Sequence, residues 1–416
     1  MSTSPSQKQI IILGGSYAGV SSAHYILKHV LPSLPEKNTY QVTLISASSQ
    51  ALCRPACPRA LISDNMFPQD RLFVDIKKQF QQYPAESFRF FQGTATELNH
   101  LNRTVTFTLG TEEPQSLEFY ALIIATGAST PSPLLGLNTH EEGLRKAWLS
   151  FREALPSAKS IIIAGGGPTS IETAGELGEH LNGRAGWFQS KLQNPKVNIT
   201  VVTASEILPV LRPSIAQTAE AYLAKVGVTI IKNSRIVTAE PRGAGSDVNF
   251  LTAKSKLTLD DGTTLEADLY VPATGTKPNT SFVPQPLLTS DSRINTNPTT
   301  LRVEGAGARI YALGDASSYA RPAVHNILSA VPVVGANIKR DLLLAAGKSE
   351  SEIGQDKVFQ EDKTETQLVP IGKSKGVGAA KGWKLPSWMI WAIKGRDYWL
   401  WTTGGLWSGK QWTKES

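Results

Sequence analysis

The chain has 416 residues, 41% of them hydrophobic, with 34 glycines, 25 prolines and a formal net charge of +7. This length and apolar share describe an ordinary globular protein of two or three domains and exclude a fibre or a disordered chain. No apolar run approaches the roughly 20 residues of a membrane-spanning helix, and two cysteines are too few for the disulfide framework of a small secreted domain.

The positive charge is local. Residues 371–416 hold eight Lys or Arg against two acids, a net +6, which leaves about +1 for everything before them. A basic tail on a near-neutral body gives no reason to expect a nucleic-acid partner. The same tail carries Trp383, Trp388, Trp391, Trp399, Trp401, Trp407 and Trp412, seven of the nine tryptophans. The opening MSTSPSQKQ is short and polar, lacks a hydrophobic signal core, and has Ser2 where a myristoylation signal needs Gly, so residence in the cytosol is expected.

In chain order, IIILGGSYAG (10–19) is an apolar run broken by glycines and followed by small and apolar residues at helical spacing, which predicts strand, tight turn and helix. YQVTLIS, from Tyr40, is the second strand of a βαβ unit. The pattern returns as IIIAGGGPTS at 161–170, with NITVVTAS at 198–205 as its second strand. Two such units predict an α/β fold with two Rossmann-like dinucleotide-binding domains. Short β-rich segments lie between and after them, with a hairpin signal at Asp261-Gly262. RIYALGDAS (309–317) is a strand ending in Gly314-Asp315, and the helix after it is expected to be disturbed near Pro332. Residues 346–366 are polar and charged, and are predicted as a linker or exposed connection.

A strand that feeds a glycine corner into a helix aims backbone N–H groups and the positive helix end at an anion, so a diphosphate fits there. Gly14 and Gly165 make the turns, Gly19 brings helix close to strand, and Gly167 admits phosphate to the backbone; Gly15, Ser16, Ala18, Gly166 and Pro168 complete the corners. Ser16 and Ser170 stand where glycine is usual. The acid that normally meets a ribose at the end of the second strand is missing from both units, which offer Ser46 and Thr203. The first ribose is therefore expected to be held by hydroxyls or backbone, and at the second site neither NADH nor NADPH is excluded. The histidines and cysteines form no metal pattern. Cys53 and Cys57 have three residues between them, and a buried small hydrophobe is the commoner fate of a free cysteine.

The ordered set IIILGGSYAG, LIIATG (122–127), IIIAGGGPTSIETAGEL, YVPATGTKPN (270–279) and YALGDAS (311–317) resembles the two-dinucleotide flavoproteins of the pyridine nucleotide-disulfide reductase superfamily, over roughly residues 10–344. The tail, LVPIGKSKGVGAAKGW with AIKGRDYWLW, is most similar to the apoptosis-inducing-factor homologues of the ferroptosis suppressor branch, fungal type. Type II NADH dehydrogenases are a more distant likeness. The resemblance implies FAD on the first unit, held by Gly14, Gly15, Ser16, Ala18 and Gly19 with Ala125, Thr126, Gly127 and Gly314, and with Asp315 on the ribityl chain. It implies NADH or NADPH on the second, held by Gly165, Gly166, Gly167, Pro168, Thr274 and Gly275. Glu172 is expected to orient the rings at the flavin–nicotinamide contact. Arg54 and Arg59 are expected at the flavin edge or its phosphates, Lys373 and Lys375 as cations favouring the reduced flavin, and His325 near it or in the core.

The expected arrangement is an FAD domain (1–154 and 281–345), an inserted NAD(P) domain (155–280) and a C-terminal segment (346–416). The expected reaction passes electrons from NAD(P)H through FAD to a quinone or another small acceptor. A disulfide reductase using Cys53 and Cys57, a tailoring oxidase of secondary metabolism and a redox-responsive binding protein are the competing readings. The tryptophan-rich tail either sits at a membrane interface, such as the mitochondrial outer membrane or a lipid droplet, or covers the flavin or a homodimer face.

Overall fold

The structure, a computed structural model, describes residues 7–415. The elements that position the site are β1 (Lys8–Leu13), α1 (Tyr17–Tyr25), β2 (Tyr40–Ser46), β3 (Phe88–Gln92), β4 (Ala121–Ile124), α2 (Glu141–Ala154), β5 (Ser160–Ala164), α3 (Pro168–Asn182), β6 (Asn198–Val202), β7 (Val228–Ile231), β8 (Leu269–Pro272), β9 (Ile310–Ala312) and α4 (Val324–Ala345). The tail adds β10 (Gln367–Ile371), β11 (Lys375–Ala380), β12 (Trp383–Lys384) and α5 (Leu400–Trp407).

Two parallel sheets carry the fold. The first runs β9-β4-β1-β2-β3 and the second β7-β6-β5-β8. Ile10, Ile11, Ile12, Ile161 and Ile163 have no exposed surface, as expected of central strands covered by helices on both faces. The first sheet is completed by β9, which the chain reaches only after building the second. In both sheets the strand feeding the glycine corner lies between its βαβ partner and a strand contributed from later in the chain, so the two corners occupy equivalent places.

One expectation is corrected and another refined. The helix after Gly314-Asp315 runs without a break through Pro332, which is buried and costs the helix one amide donor. Residues 346–366 are, apart from Phe359, exposed or half-exposed, as expected of an exposed connection, but they are tied to the body of the protein. Asp356 pairs with Arg302 at 2.7 Å, Asn337 bonds both the backbone N–H and the carbonyl of Lys357, and Phe359 is buried against Tyr319. Asp356 is thereby paired with Arg302 of the first unit, and Glu365 with Arg212 of the second.

The tail is folded onto both units. β10, β11 and β12 form an antiparallel sheet, with β10 packed along α3. α5 is clasped by α1 and the turn after it: His24 Nε2 and Trp407 O are 2.8 Å apart, Lys28 Nζ donates to Gly409 O at 2.5 Å, and His29 Nε2 and Trp412 O are 2.9 Å apart. The tail's tryptophans accordingly divide. Trp407 and Trp412 are core, while Trp383, Trp388, Trp391 and Trp401 are exposed. Among the described residues, no helix is long and apolar enough to cross a membrane.

Candidate active site

The two glycine corners share one backbone solution. Gly14 has φ +110° and Gly165 φ +121°, values that only glycine adopts without strain. A Cβ on Gly14 would strike the carbonyl of Ala125, and one on Gly165 that of Ala273. Each corner is thus pressed against the end of the neighbouring strand, with its first amide bonded to the βαβ partner strand (Gly14 N–H to Ile45 O and Gly165 N–H to Val202 O, both 2.8 Å) and the N-terminus of the following helix just beyond it. That is a cradle for a diphosphate.

A cleft of about 1370 Å³ opens above the first corner. Gly14, Gly15, Ser16 and Ala18 line it, with Arg54, Ala125, Thr126, Gly127, Gly314 and Asp315 on its walls and Pro168 and Glu172 reaching in from the second unit. The structure therefore gathers expected site residues from four separated motifs. Gly19 lies beneath, where a Cβ would strike the carbonyl of Gly14. Gly165, Gly166 and Gly167 stand with Thr274 and Gly275 at the ends of β5 and β8, outside the lining of this cleft but adjoining it through Pro168 and Thr169. Arg54 donates to the carbonyl of Ala128 at 3.1 Å and stands 3.5 Å from Asp315 Oδ2, so a cation and a carboxylate face the cleft side by side.

Lys373, Lys375 and Arg59, expected beside the flavin, do not line the cleft. Lys373 lies in the turn between β10 and β11, exposed, its backbone N–H donating to Glu179 Oε2 at 2.8 Å. Glu179 is seven residues past Glu172 along α3, about 10 Å at helical rise, and Lys373 lines no part of the cleft. Arg59 is also absent from the lining. It is buried, donating from Nη2 and Nε to the two oxygens of Glu176 at 2.7 and 2.9 Å. Of the two places expected for His325, the structure gives the interior: its Nε2 is buried, and the residue does not line the cleft.

Besides Arg54 and Lys277, the cleft is lined by Lys394, a cation that sequence reasoning passed over. Its Nζ donates to Glu172 Oε1 at 2.5 Å and to the carbonyl of Leu368 at 3.1 Å, and both side chains of the pair are more than nine-tenths buried. Burial pushes the Glu172 carboxyl up to about 7, with Lys394 pulling the other way. Lys394 stands in a π-helical turn, Trp391–Gly395, and the next residues to enter the site, Tyr398 and Trp399, hold left-handed backbone with φ 52° and 68°. Such conformations cost a non-glycine residue of order 1–3 kcal/mol each and collect at functional sites. Tyr398 anchors this turn by donating to Glu176 Oε1 at 3.0 Å, and Trp399 forms a wall of the cleft. The available signal was one lysine set in the apolar run WMIWAIKG.

Cys53 and Cys57 are fully buried, free, and outside the cleft lining. Burial raises the Cys53 thiol to about 11 and the Cys57 thiol to about 12, which leaves almost no thiolate at neutral pH. Tyr17 donates to Cys53 Sγ at 3.4 Å.

Residues 8–332 match the family described as pyridine nucleotide-disulphide oxidoreductase. The chain belongs to this family. It is 60% identical over 415 residues to the oxidoreductase phnG of Penicillium herquei, spanning 100% of this chain and 99% of that one. It is 21% identical to human ferroptosis suppressor protein 1 over 95% of this chain and 94% of the relative. Among solved structures, NDH2 of Plasmodium falciparum in complex with NADH superposes with a TM-score of 0.64 at 14% identity, covering 99% of each chain. The α/β fold and the superfamily expected from the sequence are those of these proteins, and FAD with NADH or NADPH is the cofactor pair that goes with that family.

Proposed function

We propose that this chain is a flavin-dependent NAD(P)H oxidoreductase that passes two electrons to a small acceptor, a quinone. One observation carries the reading: residues of the first glycine corner, the ribityl-side Asp315, and Pro168 and Glu172 of the second unit line a single cleft, closed by Lys394 and Trp399 of the tail. The fit of FAD rests on the Gly14 corner, where a Cβ on Gly14 or Gly19 would strike backbone and which lines the cleft at the start of α1.

In this reading the corner from Gly14 to Gly19 and the α1 N-terminus hold the FAD diphosphate, with Ala125, Thr126, Gly127 and Gly314 shaping the walls and Asp315 bonding the ribityl chain. Gly165, Gly166, Gly167, Pro168, Thr274 and Gly275 hold the dinucleotide of NAD(P)H. When bound, FAD supplies the two-electron relay between nicotinamide and acceptor. Arg54 and Lys394 place positive charge beside the flavin edge. Trp399 offers a flat wall to a ring-shaped acceptor.

Proton balance gives Glu172 and Lys394 their task. NAD(P)H delivers two electrons and one proton as hydride, whereas a quinone becomes a quinol only with a second proton. A carboxyl raised to about 7 and hydrogen-bonded to an ammonium can give that proton and take another from water near neutral pH. The exposed Trp383, Trp388, Trp391 and Trp401, with Lys381 and Lys384 beside them in the chain, suit peripheral contact with an anionic membrane from which a lipid-soluble quinone would be drawn.

Purified protein should be yellow, bleach anaerobically on adding NADH or NADPH, and recover its colour with a short-chain quinone. Colourless protein that takes up no flavin would end this reading.

A further inference from the structure

β2 ends at Ser46, and no acid follows it before Asp64. A carboxylate nevertheless arrives beside this strand end from 95 residues downstream. Glu141 is the first residue of α2, and its Oε2 accepts from Ser48 Oγ at 2.6 Å while its Oε1 accepts from Ser49 Oγ at 2.5 Å. It forms no ion pair with Lys, Arg or His among the described residues, so the two serines are its side-chain partners. Burial alone would raise its proton affinity. The hydrogen bonds from Ser48 and Ser49, with those from backbone amides of Glu141 and Ser49, outweigh burial and hold the carboxyl below its ordinary range. The α2 N-terminus favours the same charge.

Ser48 is the member that faces the cleft. It is 3% exposed and lines the cleft beside Ser46, with Thr139 and His140 nearby in the lining. A hydroxyl has one proton and two lone pairs. The proton of Ser48 lies between Glu141 Oε2 at 2.6 Å and the carbonyl of Gln50 at 2.8 Å and is held mainly by the ionised acceptor, the stronger of the two, while one lone pair accepts the N–H of Gln50 at 3.0 Å. What Ser48 can offer the cleft is therefore an acceptor, the property that the strand-end carboxylate gives other dinucleotide sites.

We propose that Glu141, acting through Ser48, supplies the ribose-accepting function that Ser46 lacks, and is a positioning residue for the adenosine end of FAD. The inference rests on the FAD reading given above. It explains how a βαβ unit without its acid keeps a directional hold on the ribose hydroxyls: the charge has moved to α2 and is relayed through a serine.

The test is flavin binding to the full-length apoprotein, followed by quenching of flavin fluorescence. It compares FAD with its analogue lacking the 2′- and 3′-hydroxyls of the adenosine ribose. Wild type should bind the analogue about tenfold more weakly than FAD. Glu141→Gln should lose about tenfold for FAD and nothing for the analogue, and Ser48→Ala should behave alike, which keeps the test open if either variant folds poorly. Glu142→Gln, the same charge change at the exposed neighbour, should match wild type. Equal losses for both flavins, or no loss in either variant, would overturn the proposal. Wild-type apoprotein that binds neither flavin would overturn the FAD reading and this inference with it.

Discussion

Lys394 Nζ lies 2.5 Å from Glu172 Oε1, a contact made across 222 residues of chain and largely buried at the wall of the cleft. Burial dominates the carboxyl and raises it to about 7. An acid raised on folding binds more protons in the native state between its unfolded and folded values, so its stabilising contribution is complete below about 4.5 and is lost as pH rises through about 7. Glu172→Gln should therefore flatten the fall in stability between pH 5 and 8, measured as urea midpoints across that range. In catalysis the protonated form is the donor. Reoxidation by a quinone should fall as pH rises past about 7 in wild type, and in Glu172→Gln it should be roughly 100-fold slower and level with pH. A variant that keeps the wild-type pH profile would remove Glu172 from the proton path.

Arg59 and Glu176 make a different use of a buried ion pair. Their side chains are 8% and 4% exposed, and Arg59 also donates to the carbonyl of Arg396 at 3.1 Å, tying the tail to α3. Removing one partner of such a pair strands the other charge, at a cost of about 3–5 kcal/mol. Arg59→Met should lower stability by about that amount in chemical denaturation, and Arg59→Met with Glu176→Leu should recover most of it. If the single variant is as stable as the double, the pair contributes no coupling.

How much of this was legible in the sequence follows from distance along the chain. The glycine corners, the flanking strands and Gly314-Asp315 are local patterns, each written within a dozen residues, and the two parallel sheets follow from them. Lys394 against Glu172, Glu141 against Ser48, and Arg59 against Glu176 are pairings set by how the tail and α2 pack, and no spacing encodes them. Lys373 illustrates the failure. It sits in the motif that carries the family likeness, yet the hairpin turn points it down α3 toward Glu179, while the lysine 21 residues later returns to Glu172. Residues 346–366 are exposed as their composition suggests, but the pairing of Asp356 with Arg302 could not be read from a charged stretch whose partner lies 54 residues away.

The two corners should be separable by substitution. Gly14→Ala forces a Cβ into the carbonyl of Ala125 at φ +110° and should yield protein with little bound flavin. Gly165→Ala meets the carbonyl of Ala273 at φ +121° and should leave the flavin in place while slowing its bleaching by NAD(P)H at least tenfold. Visible absorbance and stopped-flow bleaching read the two effects. Flavin loss in both variants alike would mean the second corner serves folding only.

The thiols should be silent in turnover. With both buried and raised to about 11 and 12, Cys53→Ser and Cys57→Ser are expected to keep kcat with a short-chain quinone within about twofold. A thiol reagent should label native protein only at the rate of its unfolding. Loss of activity on either substitution, with flavin content and fold retained, would revive the dithiol mechanism.

The exposed tryptophans give the last expectation. Trp388 and Trp391 are 67% and 39% exposed and lie three residues apart, in a segment whose only acid is Asp397 and which carries Lys381, Lys384 and Arg396. Indoles at headgroup depth supply apolar burial, and lysines add roughly 1 kcal/mol each near an anionic surface. Co-sedimentation with vesicles containing phosphatidylserine should exceed that with neutral vesicles and weaken with salt. Trp388→Ser with Trp391→Ser should reduce it about tenfold, with flavin content unchanged because neither side chain lines the cleft. Equal sedimentation of wild type and double variant would assign these tryptophans to some other surface contact.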